Sequence, residues 1–199
     1  IGNVLWNWRM FLATGEARFM DVAELALYNS VLSGMSLDGT NFFYTNPLRV
    51  TDPLPVELRW SRERKPFLSS FCCPPNLVRT IAGSAQFAYA ISTNTIWVNL
   101  YGASELATDV PGVGKVKLVQ ETEYPWNGRI RIKIIEAPER EVALKLRMPG
   151  WAKNAQLRVN LRPVAMDIPP APTYAELRRV WKSGDMIDLD LEMETELIE

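Results

Sequence analysis

Both cysteines of the chain stand side by side in SSFCCPPN, residues 69–76. A thiolate is a strong nucleophile and a soft metal ligand, but an ordinary thiol must have its pKa lowered to act as either near neutral pH. Cys73 precedes Pro74, and the residue before a proline is pushed out of the helical region into extended backbone. Neighbours in extended backbone point to opposite sides, so the two sulfurs are expected to face different partners. Pro74 and Pro75 then read as the entry to a helix, where proline is tolerated. The positive end of that helix would favour thiolate over thiol. On these residues alone, other readings stay open. The pair could be two buried small hydrophobes, a strained vicinal disulfide, or two ligands of a four-ligand zinc site. Histidine is absent, so further zinc ligands would be carboxylates or groups outside the chain.

Other residues could join such a site. Tyr44, in FFYTNP, has a hydroxyl that could bond a sugar oxygen or the thiolate, and it could equally be a core anchor of its loop. Glu57, Arg62 and Glu63 precede the cysteines and read as solvated. Glu105 and Asp109 have no diagnostic partner. Of the seven tryptophans, Trp6, Trp8, Trp97 and Trp151 sit in apolar patterns expected in the core, whereas Trp126 of YPWNG sits in a turn.

Composition narrows the classes. The chain has 199 residues, 47% hydrophobic and 23% charged, enough for a substantial core. Lys and Arg number 22 against 23 Asp and Glu, so there is no basic field for nucleic acid. No apolar run reaches the length that spans a membrane. Two cysteines make no disulfide framework, which favours a reducing, cytoplasmic setting; any leader would lie upstream. Without histidine, no Ser-His or Cys-His pair is available within the chain.

The elements that must position these residues fall in two halves. IGNVLWNWRMFLATG places Val4, Leu5, Trp8, Phe11 and Leu12 at helical spacing. A second helix is expected over 16–34, with Phe19, Val22, Ala23 and Ala26 on one side and Leu25, Tyr28 and Leu32 widening it. A third is expected over 77–92. The turn-rich segment 35–71 between them is long enough to be functional rather than a plain linker. From Thr95 the pattern alternates, predicting seven strands in TIWVNLY, KVKLVQET, RIRIKII, VALKLRM, QLRVN, YAELRRVW and MIDLDLE. That spacing indicates an antiparallel β-sandwich. PPAP at 169–172 reads as a stiff connector. Neither end carries a cap, since the helical pattern already runs by residue 4 and the chain stops at METELIE, so an internal piece of a longer protein is expected.

Taken in order, DGTNFFYTNPL, SSFCCPPNLVRTIA, ETEYPWNGRIRIKI, LRMPGWAKNAQLRVN and YAELRRVWKSGDMIDLDLEM resemble glycoside hydrolase family 127, the β-L-arabinofuranosidase-type enzymes. The resemblance implies the C-terminal helices and loops of an (α/α)6 barrel over 1–92, followed by a β-sandwich domain over 93–199. It implies that Cys72 is the nucleophile of a retaining mechanism, that Cys73, with Cys72, holds Zn2+, and that Tyr44 lies near the sugar. The expected substrate is an arabinofuranosyl oligosaccharide or glycoconjugate, and a homodimer is left open. The family's acid/base glutamate and its Glu-x-Cys zinc ligands lie upstream of Ile1, and its active-site histidines have no counterpart here. The chain alone is therefore expected to be inactive and to bind zinc weakly. The alternative is a non-catalytic carbohydrate-binding or structural role carried by the β-rich half.

Overall fold

The computed structural model describes residues 1–46, 49, 51–164 and 170–195. Pro47 of the TNP turn, Pro169 of the PPAP connector and residues 196–199 of the METELIE end lie outside them. Residues 1–9 with 22–85 form one compact unit, and 10–21 with 86–199 form another.

Helix α1 covers Gly2–Thr14. Val4, Asn7 and Phe11 form its buried stripe, three and four residues apart as one face of a helix requires. Asn7 satisfies its buried amide on the Asn3 carbonyl, 2.8 Å away. Leu5 and Leu12, expected with the apolar set, are exposed, and Trp6 is 66% exposed rather than in the core. Gly15 ends the helix at φ +71°, and a Cβ there would meet the Trp97 ring at 3.2 Å. Only glycine combines that left-handed backbone with so close an approach.

Helix α2 covers Ala17–Ala26. Its buried residues are Ala17, Met20, Ala23, Glu24 and Ala26; of the expected face, Ala23 and Ala26 are buried and Phe19 half-buried, whereas Val22 is exposed, as is Leu25. The predicted single helix to residue 34 instead loosens into a π turn, Leu27–Val31, and tightens into a 3-10 turn, Leu32–Gly34.

Helix α3 covers Cys73–Ala82 and buries Leu77 and Thr80. It does not run to residue 92. The Gly83 amide closes it on the Arg79 carbonyl at 2.9 Å, a 3-10 turn follows at Ser84–Phe87, and Tyr89–Ser92 is strand β1. Strand pairing with β2, Thr95–Val98, outweighs the local helical pattern there.

The remaining strands are β3 (Ser104–Val110), β4 (Gly114–Thr122), β5 (Arg129–Glu136), β6 (Glu141–Met148), β7 (Ala155–Val159), β8 (Arg162–Pro163), β9 (Thr173–Val180) and β10 (Met186–Leu191). They build a four-stranded sheet ordered β1-β2-β6-β9 and a six-stranded sheet ordered β3-β4-β5-β10-β7-β8. Pairing is antiparallel except for β2 against β6, which is parallel. The seven expected strands are present with small shifts in their ends; β1, β3 and β8 are additional. Alternation works as expected in β10, where Ile187, Leu189 and Leu191 are buried. Those residues, with Ile130 and Ile132 of β5 and Leu144 and Leu146 of β6, belong to one core cluster drawn from both sheets. Each fully buried side chain of this kind stabilises by about 1.5–3 kcal/mol. The outer face of the larger sheet carries cross-strand ion pairs, Lys117–Glu105 at 2.8 Å and Lys133–Glu121 at 2.6 Å.

Among the polar side chains buried in this unit is a charged one. Arg147, 0% exposed, donates through Nε to the Asn99 carbonyl at 2.6 Å and through Nη1 to Asp21. Asp21 also accepts from the Gly150 amide at 2.8 Å. Beside it, Trp97 packs edge-on against Phe11 and Tyr174, with ring centroids 5.6 and 4.9 Å away. Trp151, expected in the core, is 40% exposed; Trp126 is 90% exposed at its turn.

Candidate functional site

The cysteine turn is built by the start of α3. Cys72 has φ −94° and ψ −46°, and Cys73 is already the first residue of the helix. The extended backbone expected for Cys73 is therefore not formed. A proline one residue into a helix has no amide to satisfy and suits the first turn, and this overrides the preference of the residue before it. As a result the sulfurs do not part. Cys72 Sγ and Cys73 Sγ lie 3.5 Å apart.

Neighbours fix the turn. The Ser70 hydroxyl is 3.2 Å from Cys72 Sγ. Asn76 donates its side-chain amide to the Cys72 carbonyl at 2.7 Å, and its backbone amide reaches the same oxygen at 3.2 Å. Cys72 is exposed and Cys73 half-buried. Hydrogen bonds from Ser70 and Cys73 hold the Cys72 thiol below its ordinary pKa. Burial pushes the Cys73 thiol up, and its contact with Cys72 adds to the shift. Without a metal the pair is thus asymmetric: its surroundings favour ionisation at Cys72 and oppose it at Cys73, rather than favouring it at both.

The cysteines open on a cleft of about 390 Å³ that Phe43, Tyr44, Asn46 and Asn76 also line. Tyr44 is 37% exposed and stacks on Trp60, with ring centroids 3.9 Å apart. Two loop segments are zipped together here. Phe42 and Lys65 exchange two backbone hydrogen bonds of 2.9 Å, and the Arg64 guanidinium lies 4.3 Å from the Phe43 ring. Glu57 is exposed, Glu63 pairs with Lys65 at 2.8 Å, and Arg62 bonds the Thr51 carbonyl at 3.2 Å. None of these three lines the cleft. Glu105 is engaged with Lys117 in the other unit.

Two thiolates on one tetrahedral Zn2+ stand about 3.8 Å apart, given Zn–S bonds near 2.3 Å. The 3.5 Å separation of Cys72 and Cys73 therefore suits a pair of ligands on one ion. Among the described residues no group of three His, Cys, Asp or Glu is gathered to hold a metal. No helix among them is long and apolar enough to cross a membrane.

Ser70, Asn46, Asn76 and Trp60 carry no role in the sequence reading. Asn76 was within sight as the last residue of CCPPN, where a helix-start carboxamide commonly bonds backbone. Trp60 lies in the charged run RWSRERKP, and nothing local in that run points to Tyr44.

The chain thus carries a cysteine pair at the start of a helix, on a largely apolar cleft, and in sequence two β-sheets follow. Residues 1–86 match the model of the β-L-arabinofuranosidase GH127 catalytic domain, and residues 95–193 match that of the GH127 middle domain. The chain belongs to glycoside hydrolase family 127. A solved structure described as a glycoside hydrolase is 47% identical with a TM-score of 0.95, and the match covers 100% of this chain and 33% of that one. A GH127 β-L-arabinofuranosidase from Geobacillus stearothermophilus T6 is 38% identical with a TM-score of 0.88, over 99% of this chain and 31% of that one. Among curated proteins, a non-reducing end β-L-arabinofuranosidase of Bifidobacterium longum subsp. longum is 26% identical over 188 residues, 90% of this chain and 27% of the relative. The chain thus spans about a third or less of the length of these relatives.

Proposed function

We propose that the Cys72–Cys73 turn is part of the active site of a retaining glycosidase that releases β-L-arabinofuranose from an oligosaccharide or glycoconjugate. The observation that carries this reading is the thiol pair, with its sulfurs 3.5 Å apart, on a largely apolar cleft that Tyr44 also lines; Cys72 is exposed with its thiol held below the ordinary pKa, and Cys73 is half-buried with its thiol pushed up. In this reading α1, α2 and α3 belong to an (α/α)6 barrel, and the chain by itself is inactive.

Cys72 Sγ attacks the anomeric carbon as the glycosidic C–O bond breaks, and the departing oxygen takes a proton from an acid outside this chain. Water, giving a proton to the same group outside this chain, then attacks that carbon, the C–S bond breaks, and Cys72 recovers its thiolate. Two displacements leave the configuration unchanged. Ser70 steadies the anionic sulfur by donating to it, as a hydroxyl does best for a charged acceptor. Asn76 fixes the backbone that carries it. Cys73, with Cys72, would be the share of a Zn2+ site held by this chain. A bound Zn2+ would supply positive charge that keeps a coordinated thiol deprotonated. Tyr44 would offer its hydroxyl to the sugar.

The test is hydrolysis of 4-nitrophenyl β-L-arabinofuranoside by the full-length protein. Cys72→Ser is expected to lower kcat by about 10³-fold or more, with the first-formed sugar being the β anomer by NMR in the wild type. Full activity in Cys72→Ser, or an inverted product, contradicts the reading.

A further inference from the structure

The turn-rich segment before the cysteines contains an aromatic stack that the chemistry above does not use. Trp60 lies 3.9 Å from Tyr44, ring centroid to ring centroid, with an interplanar angle of 29°. The Arg59 guanidinium lies 4.2 Å from the same indole. Trp60 thus has both a phenol ring and a guanidinium packed on its indole. Stacked rings and a guanidinium over an indole are both favourable contacts. Trp60 also points its Nε1 at Ser69 Oγ, 3.4 Å away, and Ser69 is three residues before Cys72. One side chain therefore touches both the Tyr44 loop and the segment that leads into the cysteine turn.

We propose that Trp60 is a positioning residue for substrate: it holds Tyr44 in the wall of the cysteine cleft so that the Tyr44 hydroxyl meets the hydroxyls of an arabinofuranosyl group. The inference rests on the glycosidase reading and extends it by one residue. Tyr44 sits in a loop rather than a helix or strand, so its ring depends on neighbours for its orientation. The backbone pair at Phe42 and Lys65 fixes where the loop begins. The stack on Trp60 fixes which way the phenol faces. A preset hydroxyl binds a sugar without first losing rotamer freedom, and that saving appears as affinity.

The test uses the full-length protein. Trp60→Ala is expected to raise KM for 4-nitrophenyl β-L-arabinofuranoside about tenfold while kcat stays within about threefold, the pattern of lost uniform binding. Trp60→Phe keeps a ring over Tyr44 and is expected to hold KM within about threefold of the wild type. In a Tyr44→Phe background, Trp60→Ala should cost less than about twofold more, because the hydroxyl it positions is gone. Calorimetry of L-arabinose on the Cys72→Ser protein should show the same weakening without turnover. Labelling of Cys72 by iodoacetamide should stay within about twofold in Trp60→Ala. An unchanged KM, or costs that simply add in the double variant, overturns the proposal. A collapse of Cys72 labelling also overturns it, since Trp60 would then be supporting the cysteine turn. If the wild type neither cleaves nor binds the sugar, the glycosidase reading falls and this inference with it. If it does both and Trp60→Ala does them equally well, only this inference falls.

Discussion

Cys72 Sγ and Cys73 Sγ are in contact at 3.5 Å, yet they stand in unequal surroundings. Cys72 faces solvent with the Ser70 hydroxyl on it, and Cys73 is half-buried. Contact between two thiols makes their ionisation a shared event. The Ser70 hydrogen bond is the largest influence on Cys72 and burial the largest on Cys73, so Cys72 is the readier of the two to ionise.

This predicts a pH dependence of labelling. A lowered thiol pKa means that thiolate is already populated at a pH where an ordinary cysteine is protonated. In the metal-free protein, alkylation of Cys72 by iodoacetamide should therefore reach half its maximal rate below the ordinary thiol value of about 8.5. Ser70→Ala removes the largest cause of the shift and should move that midpoint upward. Peptide mapping should find Cys73 unmodified where Cys72 is half labelled, because its own pKa is raised. Equal midpoints in the wild type and Ser70→Ala would contradict the assignment.

Asn76 holds the Cys72 carbonyl through its side chain at 2.7 Å. Asn76→Ala should cost about 0.5–1.5 kcal/mol, the net worth of one such hydrogen bond. Amide exchange in the first turn of α3 should speed up while exchange in β6 stays as it was. Uniform loss of protection across the chain would instead make Asn76 a global support.

Asp21 forms an ion pair with the fully buried Arg147. Asp21→Ala removes this carboxylate from a buried guanidinium and should destabilise by about 3–5 kcal/mol. Urea unfolding of the chain reads this directly. Asp21→Ala also strips the acceptor from the Gly150 amide, so a loss below about 1 kcal/mol would show that the pair contributes little.

The β half was legible because its strands alternate. RIRIKII and MIDLDLE bury every second residue, and the structure buries Ile130, Ile132, Ile187 and Leu189 as that pattern demands. Strand β3 was not legible, because its half-buried positions include Ser104 and Thr108, which blur the contrast. The third helix was read too long because Phe87, Ala88 and Tyr89 continue a helical pattern. Only pairing with β2, which is tertiary, makes a strand of Tyr89–Ser92. At the site, the cysteine pair announced itself by type and adjacency. Its sulfur contact did not, because the backbone rule for the residue before proline gives way at a helix start. The exposed Trp6 and Trp151 show the same limit: an apolar pattern gives the element, while the neighbours that decide burial are not in it.

The central claim is that Cys72 forms the covalent bond to the sugar, and the most direct measurement is to trap it. The full-length protein is mixed with an activated β-L-arabinofuranoside, quenched in acid and digested, and the peptide containing residues 69–76 is weighed. The prediction is a gain of one arabinosyl group, assigned by fragmentation to Cys72 and absent in Cys72→Ser. An adduct on another residue, or steady turnover with no adduct in the wild type under conditions that trap glycosyl-enzymes, would contradict it.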